Sequence, residues 1–285
     1  KTEKTLWPGA EELALKILEC LNQHPDLTMV VAALESTSVY SIHIANYLSS
    51  CEELMRFKPY VFVLNPKCTA NYKKSYIGLG KSDPIDAFVI ADYARAGNIE
   101  SEPWRGSQFL ALKRLTRHRL HLVECMTREK TYLISNLYLK FSELQMLEGD
   151  DQPFCDIYGA TSSSVLMEYL SPEEILASSE EDLIAFLAKK SRNRIKDISK
   201  TADLLKKAAR DSYRLDKALY EPLNVSIASS FNCIETFKRE IKVIDNAIEK
   251  EIKGLNPNAF IILQSIDGIG PVFAGGIIAE IGDIT

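Results

Sequence analysis

The stretch PDLTMVVAALE, residues 25–35, decides how the first part of the chain is read. After the turn-forming Pro25-Asp26, an unbroken apolar run from Met29 to Leu34, rich in β-branched and small side chains, ends on the acid Glu35. That is the pattern of a buried strand. Upstream, AEELALKILECLN (10–22) spaces its apolar residues as a helix does. Downstream, STSVYSIHIANYLSS (36–50) puts Val39, Ile42, Ala45 and Leu48 on one helical face behind Ser and Thr residues able to cap it. PYVFVLN (59–65) reads as a second strand, and PKCTANYKKSYIGLG (66–80) as a helix opening on Pro66 and closing in glycines. The order strand, helix, strand, helix predicts an α/β fold with a parallel sheet and right-handed crossovers.

From about Gln108 the chain changes character. FLALKRLTRHRLHLVECMTREKTYLISNLYLKF (109–141) has no Gly or Pro and repeats Leu112, Leu115, Leu122, Met126, Leu133 and Leu137 at spacings of three, four or seven. This predicts a helix of roughly thirty residues. A loop with Asp150, Asp151 and Pro153 interrupts it, and shorter helices follow in SPEEILASS, EEDLIAFLAKK and TADLLKKAARDSYRL. Ser171, Pro172 and Glu174 give the clearest start signal. A last long helix, 224–255, keeps Ile234, Phe237, Ile241, Ile244 and Ile248 on a stripe. Two such helices suggest an antiparallel coiled coil.

Candidate chemistry lies first in GKSDPIDAFVIADYAR (80–95). With Asp83 as N-cap, Pro84 falls at the first helical position and Asp86 at the third, so both acids can serve the helix terminus alone. Residues three apart also share a helical face, so the same pair can project toward one point. Glu35 ends a strand, and carboxyl ends of parallel strands are where α/β proteins gather functional groups. Three converging carboxylates repel one another unless a cation joins them, and Mg²⁺ or Mn²⁺ prefers such hard oxygen ligands. Paired divalent ions acting on entering and leaving oxygens are a chemistry of phosphodiester attack.

Two further features point to nucleic acid. LQSIDGIGPVFAGGIIAEIG (263–282) reads as an apolar helix, a turn bearing Gly268 and Gly270, and another apolar helix. This is a helix-hairpin-helix pattern in which glycines let backbone approach a phosphate, although a plain helical hairpin would read alike. Within the long helix, Lys113, Arg114, Arg117, Arg119, Arg128 and Lys130 offer contacts to a phosphate backbone, or simply a solvated face. His118 and His121 have the spacing of half a metal site, with no acidic or cysteine partner evident nearby. The basic run KKSRNRIK (189–196) is a weaker candidate of the same kind and reads as a surface loop.

Across its 285 residues the chain is 46 % hydrophobic, enough for a sizeable core, and its net charge of -5 excludes a uniformly basic nucleic-acid binder, though not a local patch. Its six cysteines lack paired spacing, which predicts buried free thiols in a reducing compartment. No apolar run approaches the ~18 residues of a membrane span, and no signal peptide is evident, so a cytoplasmic protein with no membrane partner is expected. A start without methionine and a stop just after an apolar helical pattern read as an excerpt of a longer polypeptide.

Four stretches, ALESTSVYSIHIANYL (33–48), VLNPKCTANYKKSYIGLGKSDPIDAFVIADYA (63–94), LKRLTRHRLHLVECMTREKTYLISNLY (112–138) and LQSIDGIGPVFAGGIIAEIGDI (263–284), stand in an order that resembles the DEDD transposases of the one-hundred-and-ten group of insertion sequences. These are similar to the Piv and MooV DNA invertases. The resemblance implies an RNase H-like, RuvC-like catalytic domain over 1–104, a helical coiled-coil region over 105–254, and the start of a C-terminal transposase domain over 255–285. It implies that Glu35 is the family's glutamate, and that Asp83 and Asp86 are its closing pair of aspartates, together holding Mg²⁺ or Mn²⁺. The family's first aspartate belongs to an initial strand with no counterpart in residues 1–27, and its nucleophilic serine to a motif downstream of this chain. Ser36 and Ser38 stand where the family usually has Ala and Gly. The implied activity is site-specific DNA recombination by a mobile element's transposase, guided by a structured RNA and carried out by dimers that pair into tetramers. The alternatives are a structure-specific nuclease resembling a Holliday-junction resolvase, and a non-catalytic nucleic-acid scaffold.

Overall fold

The computed structural model describes residues 6–282. They form two compact units, one from residues up to 113 with 254–259 and 277 onward, the other from 114–253 with 260–276.

The first unit opens with α1 (Trp7–Gln23), followed by β1 (Val30–Glu35), α2 (Tyr40–Ser50), the single turn α3 (Glu52–Met55), β2 (Pro59–Leu64), α4 (Pro66–Lys73) and α5 (Asp83–Arg95). The strands pair in parallel, Val30 opposite Pro59 and Glu35 opposite Leu64, so both end at the same edge. The expected order and the parallel pairing are therefore present, in a sheet of two strands among the described residues. On the β2 side, the Trp104 N–H donates to the Val61 carbonyl at 2.6 Å, and its indole N–H to Asn46 Oδ1 at 2.8 Å. Ala14, Ala45, Leu48, Leu54 and Val61 form the core, with alanines letting helix backbones approach the sheet.

Two local details differ from the sequence reading. Helix α4 stops at Lys73, short of the glycines, and the chain turns through Gly78 at φ +80. Helix α5 begins one position earlier than expected: Ser82 is the extended N-cap residue, without a side-chain capping bond, and Asp83 is already helical. Asp83 is thus not the cap, and the Asp86 N–H donates to the Ser82 carbonyl at 2.9 Å as an ordinary helical bond.

The remaining elements are α6 (Ser107–Lys140), two 3-10 turns (Ser142–Gln145 and Gly149–Asp151), α7 (Ala160–Glu168), α8 (Pro172–Ala177), α9 (Glu180–Ser191), α10 (Ile198–Asp211), α11 (Lys217–Leu255), α12 (Pro257–Gln264) and α13 (Pro271–Ile281). Helix α11 starts earlier than the sequence suggested, running through Pro222 in its second turn, past the four amides left free at a helix start. Helix α7 was not expected from its serine-rich sequence; Ser162 satisfies itself on the Asp156 and Gly159 carbonyls while Val165 and Leu166 are buried. The Ser171 cap of α8 is as expected, its hydroxyl accepting from the Glu174 N–H.

Within the second unit, Leu133, Leu137, Leu183, Leu187, Leu205, Ile227 and Ile234 belong to one cluster and are 0–1 % exposed. The Arg119 guanidinium of α6 pairs with Asp245 of α11, and Lys140 of α6 donates to Asn224 of α11. Moving toward the C-terminus of α6 moves the partner back along α11 by the same number of residues, so these stretches run antiparallel. All six cysteines are free thiols, but only Cys51 is buried; Cys20, Cys68, Cys155 and Cys233 lie on solvent faces, against the expectation of buried thiols. Among the described residues no helix is long and apolar enough to cross a membrane.

Candidate active site

The paired strand ends build the floor of an open cleft. Glu35 is the last residue of β1 and half-buried; just beyond it, the Ser36 N–H donates to the Leu64 carbonyl at 2.8 Å, holding the two exits together. Ser38 then turns at φ +54, a left-handed backbone that suits glycine better than serine.

Asn65 caps α4, its side-chain oxygen accepting from the Lys67 N–H at 2.9 Å. This starts the helix directly on the strand end and aims one face, Pro66, Thr69, Ala70 and Lys73, into the cleft. These positions follow the helical repeat of three and four. The opposite wall comes from Asp86, Val89 and Ile90 of α5, by the same repeat, with Gly80 and Lys81 of the intervening loop at the mouth. The cleft encloses about 480 Å³.

Helix α4 answers both acids that face it. The buried Thr69 hydroxyl lies 3.0 Å from Glu35 Oε1, to which it donates, and 3.1 Å from the Pro66 carbonyl, its other available acceptor. The Lys73 ammonium lies 2.5 Å from Asp86 Oδ1. Asp83, one turn nearer the helix start, is exposed and is not part of the cleft wall. So the structure brings together Glu35 and Asp86, and leaves Asp83 outside. Among the described residues, no group of three or more His, Cys, Asp or Glu side chains converges as a metal cage.

The donor chemistry nonetheless suits a hard divalent ion in part. Two carboxylates and a hydroxyl face one cleft, an all-oxygen set of the kind Mg²⁺ and Mn²⁺ take, with water completing the shell. Glu35, Asp86 and Thr69 are the residues that would hold such an ion.

Sequence reading missed a neighbouring cluster. Asp92 of α5 accepts from the hydroxyls of Tyr72 and Tyr76 and from Arg95 Nε. These donors, Tyr76 foremost, hold its carboxyl down at about 2, and the same bond pushes the Tyr76 phenol up. Tyr72 lies in the last turn of α4 and Tyr76 in the connection to α5, so Asp92 ties the start of that connection to the body of α5. The signal was present as tyrosines four apart and an acid on the next helix, but its meaning required the loop's path.

The basic face of α6 is partly spent on internal partners. Lys113 pairs with Glu280 at 2.7 Å, Arg119 with Asp245, and Lys130 lies 4.6 Å from the Tyr158 ring centroid. Arg128 donates to Cys125 Sγ at 3.4 Å, while Arg114 and Arg117 are exposed. His118 and His121 stack with centroids 6.1 Å apart, and Cys125 Sγ lies 3.7 Å from His121 Nε2, so a cysteine partner does lie close by. At the glycine turn, Gly268 is left-handed at φ +87, and an added Cβ at Gly268 or Gly270 would meet open space.

Residues 7–142 match the DEDD transposase family of the IS110 group, described as Transposase. The matched segment holds both strands, all three candidate acids and the basic face of α6; the glycine turn lies outside it. No curated protein matches the chain significantly.

Proposed function

From the match of residues 7–142 to the DEDD transposase family we propose that the chain is a mobile-element transposase that cuts and rejoins DNA at the cleft where β1 ends. Glu35 and Asp86 act as ligands of Mg²⁺ or Mn²⁺, and Asp83 closes the set from the next turn of α5 when nucleic acid is bound. When bound there, such an ion would supply Lewis-acid stabilisation of charge on the phosphodiester oxygens. Thr69 fixes the Glu35 carboxylate, and the capped start of α4 fixes Thr69. The fold reading that goes with this is an RNase H-like domain followed by a coiled coil, with α12, the Gly268 turn and α13 as a helix-hairpin-helix.

The observation that carries the reading is the shared cleft: Glu35 at a parallel strand's carboxyl end and Asp86 on α5 face the same space. Both DNA and a structured guide RNA are proposed partners, with dimers pairing into tetramers. Arg114 and Arg128 are the foremost phosphate contacts, because Lys113 and Arg119 already hold acids.

Recombination by the intact transposase tests this. Glu35→Gln, Asp83→Asn and Asp86→Asn should each lower strand exchange by on the order of 10³-fold or more, given what removal of an electrostatic stabiliser costs, while gel-shift affinity for nucleic acid stays within about twofold. Wild-type recombination rates in Glu35→Gln and Asp86→Asn would overturn the site.

A further inference from the structure

We propose that Lys73 is a resident counter-ion that sets how tightly the cleft takes a divalent cation, because it must yield Asp86 before a metal ion can be shared with Glu35. This rests on the reading of the cleft as a cation site and adds the residue that regulates it.

Three observations support the assignment. First, the two acids in the cleft are both served by one face of α4: Thr69 on Glu35, and Lys73, one turn further on, at 2.5 Å from Asp86. Second, the two partners differ in what they can do next. A hydroxyl donates one hydrogen bond yet keeps lone pairs, so Thr69 can turn and remain beside a metal ion as a ligand or a water contact. A protonated ammonium has three donors and no acceptor, so Lys73 can never coordinate. Its charge so close to Asp86 opposes any divalent ion bound there, in a cleft where the lysine side chain is only 23 % exposed and solvent screening is incomplete. Third, Lys81 also lines the mouth of the cleft, so a second positive charge faces the same space without an assigned acid.

The geometry therefore describes an exchange. Lys73 neutralises Asp86 and joins α4 to α5. On arrival of Mg²⁺ or Mn²⁺, the flexible four-carbon stem swings the ammonium away from Asp86 while remaining in the cleft, where a phosphate oxygen would be its next partner. The pairing keeps the cleft from retaining a metal ion tightly in the absence of nucleic acid.

Mn²⁺ titration followed by electron paramagnetic resonance or calorimetry, on the whole chain without nucleic acid, tests the exchange directly. Lys73→Met keeps the stem and removes the charge, and should bind Mn²⁺ at least tenfold more tightly than wild type. Lys73→Arg keeps the charge and should stay within about threefold of wild type. Asp86→Asn and Glu35→Gln should each weaken binding at least tenfold in the Lys73→Met background. Lys73→Gln guards against misfolding of the methionine variant, and far-UV circular dichroism should be unchanged in both. Equal Mn²⁺ affinity in wild type, Lys73→Met and Lys73→Gln, with binding still dependent on Asp86, would overturn the role of Lys73 while leaving the cation site standing. Mn²⁺ binding indifferent to Asp86 and Glu35 in every background would overturn the cation site itself, and this inference with it.

Discussion

In the helical unit, Leu133, Leu137, Leu183, Leu187 and Leu205 are entirely shielded from solvent, whereas in the sheet unit β1 has no fully buried residue and Val31 is 44 % exposed. The helical cluster interlocks branched side chains from α6 through α11. The sheet cluster leans on alanines and on half-buried neighbours, and two strands alone make a marginal sheet. One region is built to be stable. The other spends its best positions, the strand ends and the inner faces of α4 and α5, on a polar cleft that cannot be packed.

The comparison breaks most readily at its strong end. Leu137→Ala should cost about 3–5 kcal/mol, the range for emptying a fully enclosed leucine site. Val61→Ala, at the best-buried position of β2, removes less volume beside more yielding neighbours and should cost roughly 1–2.5 kcal/mol. Chemical denaturation of both variants measures the difference. Similar losses in the two would mean that the half-covered sheet is as tightly packed as the helical cluster.

A polar intruder in the apolar unit gives the next largest effect. Lys140 is 2 % exposed at the end of α6, donating to the Leu166 carbonyl at 2.6 Å and Asn224 Oδ1 at 2.5 Å. Burial lowers its pKa to about 8, partly offset by Glu174. Because the folded value lies below the ordinary ~10.4 of lysine, the unfolded chain holds more protons between those values, and stability contributed by this group rises with pH across that window. Lys140→Ala should cost about 2–3 kcal/mol at pH 7 through the lost stem and the orphaned carbonyl. The wild type should then gain stability relative to Lys140→Met as pH rises from 8 to 10. A flat difference across that range would show that the ammonium is solvated in the folded chain.

The same contrast explains what the sequence made legible. Strong periodicity follows from burial, so the long helices α6 and α11 and the strands β1 and β2 could be read from spacing, and Glu35 from its place at a strand's end. Capping is decided by single backbone angles, which is why Asp83 was read as the cap although Ser82 takes that position. The early start of α11 is hidden by Pro222, a residue that ordinarily marks a helix boundary. Side-chain partners across elements were the least legible. Nothing in the spacing of residues 66–95 says that Lys73 meets Asp86 or that Thr69 meets Glu35, and nothing in the spacing of α6 says that much of its basic face is paired internally. Those contacts depend on how α4, α5 and α11 are aimed, and that is set by turns rather than by periodicity.

The smallest expected effect concerns one of those turns. Asp92 collects Tyr72, Tyr76 and Arg95, and its carboxyl is held at about 2, below the usual ~3.9. A depressed carboxylate contributes order that is fully present above its unfolded pKa and is lost as pH falls toward the folded one, so the window is from about 4 down to about 2. Hydrogen exchange of the amides from Lys74 to Lys81 should therefore be steady at pH 5 and quicken, beyond the intrinsic acid trend, only within that window. Asp92→Asn should show the faster exchange already at pH 5 and no added acid step, with the melting temperature of the helical unit unchanged. If the amides of that turn exchange alike in wild type and Asp92→Asn, the loop that carries Gly80 and Lys81 to the cleft is ordered by something other than this carboxylate. The cleft's mouth would then owe its shape to the α4 and α5 backbones alone, as the floor owes its own to the paired ends of β1 and β2.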